Sequence, residues 1–278
     1  TVAPGEPYHA KLLTVPGVGT GAAGRRSRAE AVAGRTTGAR RPYQHRLQRL
    51  HVVATLHAAA PHQHARARSG SGLVLRRDDL REAVREGREG NLVLFCVDAS
   101  GSMAARRRMT AVKGAVLSLL LDAYQRRDKV GLVTFRGVDA ELALPPTSSV
   151  EAGAARLRQL PTGGRTPLAA GLLRAQHVLR VERLRDPRRR ALLVLVTDGK
   201  ATSGGADPVG QAVRAARLLA TDGVASVVVD CENGPVRLGL AASLAAALGG
   251  VSLRLDELAA DSLSAAVRDV RRDSRGAA

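Results

Sequence analysis

The chain has 278 residues, 45% of them hydrophobic, enough for one large α/β domain with a smaller unit beside it. It holds 43 basic and 25 acidic residues, a formal charge of +18, yet only 2% aromatics and no Trp. Platforms for stacking bases are therefore scarce, and nucleic acid is not the expected partner. No apolar run is long enough to span a membrane and no basic-then-apolar leader is visible, so cytoplasmic residence is expected. The chain opens on Thr1, as a processed or excerpted piece would.

Charge is unevenly spread. Residues 1–77 carry 13 Lys and Arg against Glu6 and Glu30, net +11, while residues 78–278 carry 30 against 23, net +7. Only Lys11, Lys113, Lys129 and Lys200 are lysines, an imbalance that fits coding bias better than a designed patch. The expected organisation is a basic, partly flexible arm over 1–77 with a short helix or strand element, ahead of a nearly balanced domain over 78–278. Such an arm would steer an acidic partner.

Residues 1–42 are rich in Gly, Arg and Ala. The stretch "VPGVGTGAAGRRSRAE" resembles a phosphate loop only loosely, because Arg25 and Arg26 stand where Lys and Ser/Thr would be needed. A flexible or lightly packed arm is the better expectation. "RLQRLHVVATLHAAA" mixes helix and strand character and stops at Pro61. His57, His62 and His64 follow one another closely, but no Cys or acidic ligand accompanies them, so a solvated loop is expected. "LVLRRDDLREAVREGREG" predicts a short strand and then a charged helix or loop.

From Asn91 the pattern becomes regular. "NLVLFCV" is apolar at every position, as a central parallel strand requires. "MTAVKGAVLSLLLDAYQRR" is an amphipathic helix with Met109, Val112, Val116, Leu119, Leu120 and Ala123 on one broad side. "KVGLVTF" reads as a strand, "AELAL" as a short edge strand, and "EAGAARLRQL" and "PLAAGLLRAQHVLRVERL" as helices. "ALLVLVTDG" is a strand that ends in aspartate, "PVGQAVRAARLLATDG" a helix, and "VASVVVDC" a strand. "LAASLAAALG", "VSLRL" and "ELAADSLSAAVRDVRR" continue the alternation as helix, strand and closing helix. This pattern predicts an α/β fold with a doubly wound, mostly parallel central sheet flanked by helices. Cys96 and Cys231 lie in or at the end of strand-like runs without metal-type spacing, as small buried hydrophobes in a reducing compartment would.

The strand ends are where the chemistry gathers. In Asp98-x-Ser100-x-Ser102 alternate side chains of one loop can turn toward a single point, and Gly101 permits close backbone approach. Asp198 closes a second central strand, and Thr166 in "TGGRTPL" stands just before a helix that Pro167 can start. Two carboxylates and three hydroxyls make an all-oxygen set suited to a hard cation, Mg²⁺ or Mn²⁺. Gly164 and Gly199 support the loops around it. The competing reading is that Asp98 and Ser100 cap the next helix and "TDG" is an ordinary turn. A hydrolase would need a base beside the metal, and His177 falls in the middle of a helix, away from the strand ends.

These residues carry a resemblance. "VDASGSMA", "RRDKVGLVTFRG", "LPTGGRTPL" and "LVTDGKAT" resemble the metal-ion-dependent adhesion site of von Willebrand factor A (integrin I) domains. More narrowly, residues 43–203 are similar to the C-terminal part of magnesium chelatase D subunits and related cobalt chelatase subunits. The resemblance implies a von Willebrand factor A-like, Rossmann-type fold, with Asp98, Ser100, Ser102, Thr166 and Asp198 at a Mg²⁺ site. It implies a non-catalytic adhesion subunit or fragment of an ATP-dependent chelatase that inserts Mg²⁺ or Co²⁺ into a tetrapyrrole, in chlorophyll or cobalamin synthesis. The partners implied are an ATPase ring subunit, docking through an acidic residue at the metal, and a large tetrapyrrole-binding subunit. The ATPase-type module that precedes this region in the family is not in the sequence. Thr202 stands where the family usually has Asn, and Thr can still hydrogen-bond. A metal-dependent interaction module of another ATPase-driven assembly and a metallohydrolase are the alternatives. In the sheet order of such domains the "ALLVLVTD" strand separates Cys96 from Cys231 by two strand spacings of about 4.8 Å, beyond disulfide reach.

Overall fold

The computed structural model describes Pro4, Tyr8 and residues 13–43, 47–66, 70–101, 106–232, 238–255, 257 and 258. In chain order the elements begin with β1 (Ala23–Arg40), α1 (Val52–Ala59), β2 (Glu82–Glu89), β3 (Leu92–Asp98) and α2 (Arg106–Gln125). They continue with β4 (Lys129–Arg136), β5 (Asp139–Thr147), α3 (Val150–Gln159), α4 (Leu168–Arg185) and β6 (Ala191–Thr197). The last are α5 (Pro208–Thr221), β7 (Ala225–Asp230), α6 (Leu240–Ala247) and β8 (Val251–Arg254).

Among the described residues six strands form one sheet in the order β5-β4-β3-β6-β7-β8. Only β5, the edge strand after β4, runs antiparallel to its neighbour. The central strand β3 is buried at every position, and its side chains alternate between two layers. Val93, Phe95 and Val97 join the core beneath α2 and α3, whereas Leu92, Leu94 and Cys96 join the core beneath α4, α5 and α6. The expected face of α2, from Met109 to Ala123, lies in the first of these layers. Helix starts follow local chemistry: Ser149 caps α3 by accepting the Ala152 N–H at 3.3 Å. Asp207 caps α5 by accepting the Gly210 N–H at 2.8 Å, with Pro208 in the first turn. Both cysteines are buried and not joined by a disulfide; Cys96 lies on β3 and Cys231 directly follows β7, with β6 between those two strands.

The N-terminal region departs from expectation. Residues 23–40, read as part of a flexible arm, form an 18-residue strand that pairs antiparallel with β2. Residues 82–89, read as a charged helix or loop, are that partner. Neither strand shows alternating hydrophobicity, because polar contacts hold them instead. Arg26, 2% exposed, donates from Nε to Asp128 and from Nη2 to Asp122 Oδ2 at 2.8 Å. Ser27 Oγ donates to Asn91 Oδ1 at 2.7 Å, and the Asn91 N–H donates to Asp128 Oδ1 at 2.7 Å. Buried Glu89 pairs with Arg190. Hydrophobic periodicity carries no signal for a ribbon anchored in this way.

The short helix α1 is followed by "AAPHQ" at residues 59–63. The buried Gln63 amide clamps residue 74: Nε2 donates to the Val74 carbonyl at 3.1 Å and Oε1 accepts the Val74 N–H at 2.8 Å. Arg66 and Asp79 form a two-pronged pair beside it. His57, His62 and His64 are exposed, as expected, but His57 lies on α1 and His62 in the helical turn after it rather than in a loop.

Candidate metal centre

β3 and β6 are hydrogen-bonded neighbours, with Val97 opposite Val196. The next step along each strand sets Asp98 beside Thr197, whose hydroxyl donates to Asp98 Oδ2 at 3.2 Å. Asp98 is fully buried, and its Oδ1 accepts the Ser100 N–H at 2.8 Å. Asp198 is buried as well, and its Oδ1 accepts the Lys200 N–H at 3.1 Å. Asp198 Oδ2 is buried and has no hydrogen-bond partner. Lys200 Nζ lies 4.0 Å from it, beyond hydrogen-bond reach.

Three loops meet here and are bonded through their backbones. The Gly101 N–H donates to the Gly164 carbonyl at 2.7 Å, and the Gly163 N–H donates to the Ala99 carbonyl at 2.8 Å. A Cβ on residue 101 would stand 3.0 Å from that Gly164 oxygen, a tight contact, so the close approach favours glycine. The Thr166 N–H donates to Thr202 Oγ1 at 2.8 Å, and the Thr202 N–H donates to the Thr166 carbonyl at 3.1 Å. Gly199 has φ +78°, and a Cβ there would meet Leu240 Cβ at 2.6 Å, which lets the loop after Asp198 turn tightly against α6. Asp98, Ser100, Thr166 and Asp198 thus share one hydrogen-bonded unit. Ser102 lies outside the described residues.

Two supports were not assigned in the sequence. Thr202, seen there only as a departure from the Asn pattern, holds Thr166 at both backbone groups. Lys113 is 1% exposed, and its ammonium donates to the carbonyls of Arg158 at 3.3 Å and Leu160 at 3.2 Å. It caps the C-terminal end of α3, just before the loop that carries Thr166. The available signal was a lysine among the apolar positions of "AVKGAVLSLL".

Burial pushes the Asp98 carboxyl up to about 6; hydrogen bonds from Ser100 and Thr197 oppose the shift and the Asp198 charge adds to it. A buried oxygen without a donor, beside a second desolvated carboxylate, is a donor set that a hard cation would complete. Among the described residues no three or more His, Cys, Asp or Glu side chains gather, so hydroxyls would have to supply the remaining protein ligands. That chemistry suits Mg²⁺ or Mn²⁺ better than softer metals. A cavity of about 720 Å³ opens at the opposite, amino-terminal end of the sheet, beside Leu92, Leu179 and Val224. Its arginines are engaged: Arg189 by Asp186, Arg190 by Glu89, and Arg183 by the Asp222 carbonyl.

Sheet order and the three-loop unit at its carboxyl edge define a von Willebrand factor type A domain, and residues 93–200 match the model of that family. A second family model, the AAPxQ domain, matches residues 33–85, which include "AAPHQ". Residues 93–200 are thus a von Willebrand factor type A domain within the chain. It is 53% identical over 267 residues to the uncharacterized protein Rv2850c of Mycobacterium tuberculosis, covering 96% of this chain and 42% of that protein. It is 37% identical over 220 residues to the magnesium-chelatase 67 kDa subunit of Chlorobaculum tepidum, covering 72% of this chain and 35% of the subunit. It is also 37% identical over 163 residues to the uncharacterized protein MJ0910 of Methanocaldococcus jannaschii, covering 58% of this chain and 94% of that protein. The chain therefore spans less than half the length of the first two relatives.

Proposed function

We propose that this chain is a non-catalytic, metal-ion-dependent adhesion module of an ATP-dependent metal chelatase. Asp98, Ser100, Ser102, Thr166 and Asp198 would hold Mg²⁺ or Mn²⁺. The observation that carries the reading is the buried Asp198 Oδ2 without a hydrogen-bond partner, next to the desolvated Asp98. When bound, the cation supplies a fixed positive charge that a partner's carboxylate can complete. The chain's own residues hold and orient: the strand ends fix the two carboxylates, Thr202 fixes the Thr166 backbone, and Lys113 fixes the loop before it.

Similarity to proteins named as magnesium-chelatase subunits supports the chelatase setting. The partners in this reading are an ATPase ring subunit, which offers a Glu or Asp to the metal, and a large tetrapyrrole-binding subunit. The Mg²⁺ or Co²⁺ inserted by the whole assembly is substrate, separate from the ion held here. A bond-breaking role is not favoured. His177 is exposed and lies nine residues into α4, about 14 Å along the helix from Leu168.

The test is a pull-down of the ATPase ring subunit with wild type and Thr166→Ala, with and without chelator, at low and moderate salt. Chelator and Thr166→Ala should each weaken capture at both salt levels. Capture that ignores both would move recognition off the metal site.

A further inference from the structure

Helix α1 presents the wrong face to water. It buries Thr55 and Ala59, while Val52, Val53 and Leu56 are 56%, 59% and 36% exposed. At about 100° per residue, these three side chains occupy one sector of the helix. Exposed Ala60 continues the same sector. Hydrogen bonds fix this orientation: the Arg81 N–H donates to Thr55 Oγ1 at 3.0 Å, and the His51 N–H donates to the Arg81 carbonyl at 2.8 Å. Leu73, Val74 and Leu75 are also exposed, and the Gln63 clamp ties them to the turn that follows α1. A surface helix normally turns its polar side outward, and a concentration of large exposed apolar side chains marks an interaction site.

The charge of the adjoining segments selects the occupant: Arg49 precedes α1, Arg76 follows Leu75, and the turn at residues 77–79 packs on α1. Within residues 41–81, Arg41, Arg49, Arg76 and Arg77 are exposed, and Asp78 is the one exposed carboxylate among the described residues. A second copy would set these cationic segments against themselves, which costs association energy. A lipid surface is the poorer match, because α1 has only eight residues and no Trp or Phe to anchor it. We propose that the outward face of α1, with Leu73 to Leu75, is a docking surface for an acidic amphipathic helix of a partner protein. Leucine-type anchors of that helix would cover Val52, Val53 and Leu56, and its carboxylates would meet the arginines of the adjoining segments. This surface uses none of the metal-site residues, so it would act independently of the cation.

The test uses the full chain and fluorescein-labelled helical peptides read by anisotropy, in the presence of chelator. One peptide carries Leu at helical spacing with Glu elsewhere; one replaces Glu by Lys; one replaces Leu by Ser. The Leu/Glu peptide should bind the wild type, and the other two should bind at least about tenfold more weakly, a difference of about 1.4 kcal/mol. Val53→Ser/Leu56→Ser should weaken the Leu/Glu peptide to a similar degree with an unchanged melting temperature, since both side chains are exposed. Arg76→Glu/Arg77→Glu should shift the preference toward the Lys peptide. Equal binding by the serine variant, or no preference for Glu over Lys, would overturn the proposal. So would tight binding to phosphatidylserine vesicles with no binding of the peptide. Dimerisation of the wild type that Leu56→Ser abolishes would assign the face to a second copy instead.

Discussion

Asp98→Asn should stabilise the metal-free protein while removing its response to Mg²⁺. Asparagine keeps an acceptor for the Ser100 N–H and remains compatible with the Thr197 hydroxyl, so packing is preserved. What changes is the charge. Burial raises the folded-state value of Asp98 from 3.8 to about 6. For a carboxyl raised on folding, the folded state binds its proton more tightly than the unfolded state does. The folded state therefore loses stability as pH rises from the unfolded value through the folded one. Two pK units of difference correspond to about 3 kcal/mol lost at neutral pH. In a chain of this size that is a melting shift of about 6–12 °C. In chelator at pH 7, thermal unfolding of Asp98→Asn should thus lie above wild type by that order, and the gap should close toward pH 4 as the wild-type carboxyl becomes protonated. With Mg²⁺ at about 100 times its dissociation constant, the wild type should gain about 2.7 kcal/mol and the variant almost nothing. A gap in chelator that does not change with pH, or equal stabilisation of both proteins by Mg²⁺, would refute the account of two crowded carboxylates awaiting a cation.

Thr202→Val removes the acceptor of the Thr166 N–H and should lower Mg²⁺ affinity about 10–100-fold by calorimetry, whereas Thr202→Asn should restore most of it. Cys96 and Cys231 should react with a thiol reagent only after denaturation, and both should do so without reductant; burial pushes the Cys96 thiol far up, so it is inert in the fold. Arg26→Met leaves Asp128 buried without its partner and should cost about 3–5 kcal/mol in denaturant titration. In that variant, amide exchange should accelerate in residues 23–30 more than in β3.

The sequence alone determined the α/β alternation from Asn91 to β8, because buried parallel strands and amphipathic helices write their environment into hydrophobic period; the expected closing helix lies almost entirely outside the described residues. It also marked Asp98, Ser100, Thr166 and Asp198, since acidic and hydroxyl side chains at the ends of apolar strands stand out against the core around them. Tertiary structure decided what depends on contacts between distant residues. β1 pairs with β2 and is anchored to the domain because Arg26 reaches Asp122 and Asp128, about a hundred residues away, and no local pattern encodes those contacts. Thr202 became the holder of Thr166 only when two loops met. The outward apolar face of α1 is likewise a property of the fold. A hydrophobic helix in sequence implies burial, and only the hydrogen bonds of Thr55, His51 and Arg81 turn Val52, Val53 and Leu56 toward water.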